Sequence, residues 1–268
     1  MYPDLFSIGP VPIRSYGLML AVSFLVGVWY VSRMARRDGK SIDQFLAVAY
    51  ILIIGGVVGA RLSYVVLHLG EFVGKWGSTF NPFSSDHYGI AGLNMYGGVL
   101  LAALGTLLYC RLRRIPILDT LDYFTPTVGI GLGLTRIGCF LNGCCFGTPT
   151  DLPWGVMFPE HSIPYYAYPH QHIHPAQIYS SLYGVGLFLL LHFMMKRRKF
   201  AGQLLALLFM IEALFRFAIE YVRYYEDEMY FQVFGVQPTW NQVVSITLFA
   251  VGLIIYIVQS RRAAITKH

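Results

Sequence analysis

Seven apolar runs of about 20 residues dominate this chain, at about 16–35, 44–69, 92–111, 118–138, 175–195, 202–221 and 239–259. At about 1.5 Å rise per helical residue, each can cross a hydrocarbon core of roughly 30 Å. Composition agrees. Of 268 residues, 56% are hydrophobic and only 13% charged, about half the charged share of a soluble domain. The expectation is an all-α polytopic membrane protein with about seven transmembrane helices, built as one membrane domain over residues 1–268. The opening stretch, MYPDLFSIGPVPIRSYG, has no basic region before its apolar run, so no cleavable signal peptide is expected.

A net charge of +6 could suggest nucleic acid, but the distribution of the charge argues against it. Of 20 Lys and Arg, 14 fall in four clusters: Arg33, Arg36, Arg37 and Lys40; Arg111, Arg113 and Arg114; Lys196 to Lys199; and Arg261, Arg262 and Lys267. These follow runs 1, 3, 5 and 7. Basic residues collect on the cytoplasmic side of membrane proteins. The N-terminus is therefore expected outside and the C-terminus in the cytoplasm, with no nucleic-acid partner.

Six basic residues remain: Arg14, Arg61, Lys75, Arg136, Arg216 and Arg223. Arg14 and Lys75 fall in outer segments. Arg61, Arg136 and Arg216 lie inside even-numbered runs, roughly 26, 27 and 21 Å from their cytoplasmic starts at the helical rise. A charge near the membrane centre costs ~2.5–3.5 kcal/mol on insertion scales, so these groups need anionic partners or a route to the interface. Glu220 stands four residues after Arg216, and Arg223 continues that face. Arg61 and Arg136 have no nearby carboxylate in sequence. Three guanidiniums at one depth suit the phosphate of an outer-leaflet lipid, which a guanidinium grips through two parallel hydrogen bonds.

Polar and aromatic residues gather at the outer ends of the odd runs: Tyr16 beside Gly17, Tyr96 before Gly97 and Gly98, and His174, Gln177 and Tyr179 in HPAQIY. Each tyrosine alone fits an interfacial belt, and the paired glycines fit a close backbone approach. Cys139, Cys144 and Cys145 also fall on the outer side. Being odd in number, they leave one thiol unpaired among themselves. Together with His170, His172 and His174 they offer metal-ligand atoms, but neither group has a standard zinc spacing. Packing beneath a loop is the simpler account, and no metal or cofactor is expected. A thiol–disulfide oxidoreductase lacks its C-x-x-C pair.

These motifs carry a resemblance over nearly the whole chain. FSIGPVPIRSYGLML opens it, followed by GARLSYV at 59–65, YGGVL at 96–100, RIGCFLNGCCFGTPTDLPWGVMFP at 136–159, HPAQIY at 174–179 and FRFAIEYVR at 215–223. The chain resembles the prolipoprotein diacylglyceryl transferases of bacterial cytoplasmic membranes. The resemblance implies transfer of the diacylglyceryl group of phosphatidylglycerol to the thiol of a prolipoprotein lipobox cysteine, with release of glycerol phosphate. It implies an active site toward the outer leaflet. Arg136 and Arg216 match the family's essential arginines. Tyr16, Asn142 and Arg223 match other site positions, and Gly97-Gly98 match its glycine turn.

Three positions depart from the pattern. Tyr96 stands where the family commonly has histidine, Cys139 where it has asparagine, and Cys144 where it has an acidic residue. A tyrosine hydroxyl, with an ordinary pKa near ~10, is a poor base at neutral pH. Two readings follow: a subfamily that keeps the chemistry with a hydroxyl in place of imidazole, or a paralogue that moves a lipid portion to another nucleophile. An anionic-lipid transporter is the remaining alternative. The expected site therefore comprises Tyr96, Arg136 and Arg216 as catalytic groups. Tyr16, Arg61, Gly97, Gly98, Asn142, His174, Gln177, Glu220 and Arg223 are expected to contact substrate. Segments 70–91 and 148–173 are expected to form a small periplasmic cap.

Overall fold

The computed structural model describes residues 1–9, 11–72, 94–225, 229–232 and 237–265. A two-stranded hairpin, β1 (Asp4–Ile8) and β2 (Val11–Arg14), precedes the helices. The long helices are α1 (Ser15–Arg37), α2 (Ile42–Leu67), α4 (Met95–Leu112), α5 (Ile117–Asn142), α7 (Ala176–Met195), α8 (Gln203–Ile219) and α9 (Trp240–Ile265). Two short helices, α3 (Leu69–Phe72) and α6 (Ile163–Ala167), lie between them. Of the expected cap, segment 70–91 lies outside the described residues from 73 onward.

Six of the seven long helices reach 18 residues and are apolar enough to span a membrane. The seventh, α8, has 17 residues, or about 26 Å, at the short end of spanning lengths. It starts after Gly202, whose left-handed φ of 86° sets the N-terminal turn. It ends by tightening into a 3-10 turn, Glu220–Val222, after which Arg223 leaves in extended conformation. The run expected at 202–221 is therefore helical only to 219, and the 3-10 turn re-aims the chain at Arg223. Large apolar side chains such as Leu108 on α4 and Leu182 and Phe193 on α7 point outward, as lipid-facing positions require.

The chain packs as two compact units. One holds residues 1–6, 13–27 and 121–268; the other holds residues 7–12 and 28–120. In the second unit α2 and α4 pack through small residues. A Cβ on Gly59 would meet the Gly97 carbonyl oxygen at 2.5 Å, and one on Gly98 would meet the Gly56 carbonyl oxygen at 2.6 Å. Backbones this close exclude any side chain, so the helix contact requires glycine at both Gly97 and Gly98. Asn94 starts α4 by accepting the Tyr96 N–H at 3.0 Å, an N-cap bond.

In the first unit α5 and α7 approach in the same way. A Cβ on Gly129 would meet the Phe188 nitrogen at 2.6 Å, and one on Gly184 the Gly133 nitrogen at 2.5 Å. The fully buried Asp122 on α5 fixes the start of α8. Its carboxylate accepts from the Gly202 N–H at 2.9 Å and the Leu205 N–H at 3.0 Å, and pairs with Arg198 at 3.2 Å. Residues 146–173 pack around Phe146, Phe158 and Ile173. Strand-like bridges from Ile173 to Pro149 and Val156 hold the segment together.

Candidate active site

The site grows from the ends of α5 and α8. Helix α5 closes in a Schellman motif: the Cys144 N–H donates to the Cys139 carbonyl at 3.1 Å, and the Gly143 N–H reaches the Cys139 and Phe140 carbonyls. Gly143 takes the left-handed φ of 79° that this cap needs. Such a cap places its third-last residue against the second residue beyond it, which here are Cys139 and Cys144. Cys145 then also adopts a positive φ of 59°, a conformation few side-chain-bearing residues take outside constrained sites. The three sulfurs lie within 4.8 Å of one another, and all are free thiols.

Past the cysteines the chain is threaded between two strand-like segments. The Gly147 N–H donates to the His174 carbonyl at 3.1 Å, and the Thr148 N–H to the Val222 carbonyl at 3.0 Å. A Cβ on Gly147 would meet His174 Cβ and carbonyl oxygen at 2.5 Å and the Val222 carbonyl oxygen at 2.6 Å. Only glycine fits there, and its bridge to Arg223 fixes that arginine beside the thiols.

Arg136, Arg216 and Arg223 interact electrostatically with one another at Arg223. Arg136 interacts with Cys145 and Cys139, and with the Glu212 carboxylate. The sequence around Arg136 offers no carboxylate, and the acid that reaches it comes from another helix. Arg216 pairs through Nε with Glu220 Oε1 at 3.3 Å, and its Nη2 donates to the Tyr225 hydroxyl at 3.2 Å. Glu220 is saturated, accepting from Tyr225 at 2.6 Å, Thr239 at 2.7 Å and Asn241 at 3.3 Å. Burial raises the pKa of Tyr225 above the ordinary phenol value, so its hydroxyl remains a donor to Glu220.

Arg223 is different. It is 8% exposed and stacks over the Tyr225 ring at 4.9 Å. Its Nε and Nη1 are buried without a hydrogen-bond partner. Burial lowers its pKa from the ordinary guanidinium value, and the charges of Arg216 and Arg136 add to the effect. Two buried cationic donors without acceptors are costly. Hydrogen bonds from the Cys139 and Cys144 thiols hold Cys145 below the ordinary thiol range, against the effect of burial. The guanidiniums of Arg223 and Arg136 push the same way.

Tyr16 on α1 interacts with Arg136 and the three cysteines, and its backbone packs where a Cβ on Gly138 would stand at 2.9 Å. Asn142 contacts Cys144. The buried Gln177 donates from Nε2 to the Cys144 carbonyl at 2.9 Å, while its Oε1 has no partner. His174 Nδ1 meets the Tyr179 hydroxyl at 3.2 Å, and Trp154 donates to that hydroxyl at 2.7 Å. The unit thus brings together Tyr16, Arg136, Asn142, His174, Gln177, Arg216, Glu220 and Arg223. Tyr96, Arg61, Gly97 and Gly98 belong to the other unit. There Arg61 is buried on α2, over the rings of Phe72 at 5.2 Å and Tyr64 at 5.8 Å.

Sequence reasoning missed Glu212, Tyr225, Thr239 and Asn241. Glu212 had a signal, since Glu212, Arg216 and Glu220 repeat every four residues on one face of α8. The other three reach Glu220 through tertiary folding alone. The histidines do not join the thiols: among the described residues, Cys139, Cys144 and Cys145 form the only group of three or more metal-ligating side chains.

Fold and site together define a multi-pass integral membrane protein with a cluster of arginines toward the ends of α5 and α8. The model of the prolipoprotein diacylglyceryl transferase family matches residues 3–258, and the chain belongs to that family. Among its curated relatives, a phosphatidylglycerol–prolipoprotein diacylglyceryl transferase of Clostridium tetani is 34% identical over 83% of this chain and 86% of its own. Similarly named proteins of Nitratidesulfovibrio vulgaris and Vibrio cholerae are 32% and 30% identical. They cover 94% and 97% of this chain, and 91% and 92% of their own.

Proposed function

We propose that this protein transfers the diacylglyceryl group of phosphatidylglycerol to the lipobox cysteine thiol of a prolipoprotein. The sulfur–carbon bond forms as the phosphate-ester carbon–oxygen bond breaks. Glycerol phosphate leaves with the bonding pair, and the thiol proton is lost. The observation that carries the reading is Arg223, whose Nε and Nη1 are buried and unpartnered beside Arg136 and Arg216. A lipid phosphate supplies the missing acceptors and gains charge as the ester breaks. Guanidiniums already in place stabilise that charge without reorganising, and the same cations favour the attacking thiolate.

In this reading Arg136, Arg216 and Arg223 hold the phosphate, with Tyr16, Asn142 and Gln177 around it. Glu220 fixes the pose of Arg216. Tyr96 relays the proton of the substrate thiol, giving up its own hydroxyl proton to water as it accepts the thiol's, and Arg61, Gly97, Gly98 and His174 are assigned contacts with substrate. The protein sits in the bacterial cytoplasmic membrane, N-terminus outside, with the site toward the outer leaflet. Incubation with phosphatidylglycerol and a lipobox peptide, followed by intact-mass analysis, tests the reading. The peptide gains a diacylglyceryl group on its cysteine, and Arg136→Ala and Arg216→Ala abolish the gain while the protein stays folded. Full turnover by either variant refutes the clamp. Movement of anionic lipid with no covalent product supports the transporter reading, and a lipid adduct on another acceptor supports the paralogue.

A further inference from the structure

We propose that Cys139, Cys144 and Cys145 form a three-thiolate site for a thiophilic divalent d10 cation, zinc by its chemistry. The three thiols have no role in the transferase reading, although two of the arginines beside them, Arg136 and Arg223, do. The Schellman cap of α5 explains why Cys139 meets Cys144. It does not explain the third thiol. Cys145 is turned back toward the other two by a left-handed backbone conformation that glycine or asparagine would hold with less strain. The three sulfurs converge to within 4.8 Å. Tetrahedral zinc, with bonds of about 2.3 Å, needs its sulfurs about 3.8 Å apart, a closure of about 1 Å that side-chain rotation supplies.

Charge supports the same conclusion. Three thiolates and one divalent ion carry a net charge of −1. Arg136 lies against Cys145 and Cys139, and Arg223 also faces Cys145, so the complex has cationic neighbours on the protein side. Binding releases one proton per protonated thiol and leaves the fourth position of the ion open, as in catalytic rather than structural zinc sites. Among the other groups facing the cluster are the Asn142 side chain and Tyr16. Neither places a further cation there.

The test uses the full-length protein, reduced, in detergent and free of metal. Cadmium is the spectroscopic probe and zinc the competitor. The expected result is a sulfur-to-cadmium charge-transfer absorption that saturates at one ion per chain and is displaced by zinc. Zinc should also shield these three thiols from alkylation in the folded protein, where Cys110 is buried with or without metal. Cys144→Ser and Cys145→Ser should each weaken cadmium binding about tenfold or more, with helicity and melting unchanged. A variant that fails to fold is replaced by the alkylation pattern of the wild type, which needs no substitution. Absence of the absorption, or cadmium binding as tight as the wild type's in both serine variants, overturns the proposal.

Discussion

Arg223→Met separates binding from folding, because the structure gives the two effects opposite signs. In the empty protein the Arg223 guanidinium is buried with Nε and Nη1 unpartnered. Removing an uncompensated buried charge relieves desolvation of about 1–3 kcal/mol. Its stacking on Tyr225 at 4.9 Å offsets roughly 0.5–1 kcal/mol of that. Methionine fills much of the same volume, so the lipid-free variant should be as stable as the wild type or slightly more so. With substrate present the balance reverses. Two charge-assisted hydrogen bonds to phosphate, at about 1.5–3 kcal/mol each and not fully additive, give a loss of about 3–4 kcal/mol. That corresponds to a fall of roughly two to three orders of magnitude in kcat/KM. Arg223→Lys keeps the charge but loses the two-pronged geometry, and should fall about tenfold. Initial rates of peptide lipidation against phosphatidylglycerol concentration, alongside melting curves in lipid-free micelles, give both quantities. If stability and rate fall together, Arg223 is an internal support and the reasoning from its empty donors fails.

Gly147→Ala should cost more than a helix glycine, because its Cβ would sit 2.5 Å from His174 and 2.6 Å from the Val222 oxygen; expect a lower melting point and loss of transfer, read by thermal unfolding and mass analysis. Asp122→Asn weakens the carboxylate bond to Arg198 and the charged cap on α8. Loss of a buried ion pair of this kind costs about 3–5 kcal/mol, so melting should drop while the KM for phosphatidylglycerol in the folded fraction holds. Tyr96→Phe should reduce turnover well beyond what a packing change explains, and Tyr96→His should restore it. A near-normal rate for the phenylalanine variant would mean that the hydroxyl takes no proton.

Membrane thickness is why so much of the fold was legible. Each apolar run had to be near 20 residues, so helix positions followed from length, and α8 departs only where the 3-10 turn at Glu220–Val222 redirects Arg223. The Arg216–Glu220 pair was legible because helical spacing puts residues four apart side by side. The Glu212–Arg136 proximity was not, since it joins two helices. Nor was the enclosure of Glu220 by Tyr225, Thr239 and Asn241, which depends on α9 meeting the end of α8. The convergence of Cys139 with Cys144 was implicit in the glycine between them, because a Schellman cap commonly brings those two positions together. The positive φ of Cys145 has no sequence signal, as cysteine is not a residue that announces a left-handed turn.

The most direct measurement is an experimental structure with phosphatidylglycerol bound. The account predicts phosphate oxygens within hydrogen-bond distance of Arg223 Nε and Nη1, with Arg136 and Arg216 turned to the same headgroup. A headgroup bound elsewhere, with those two nitrogens still unpartnered, would contradict it.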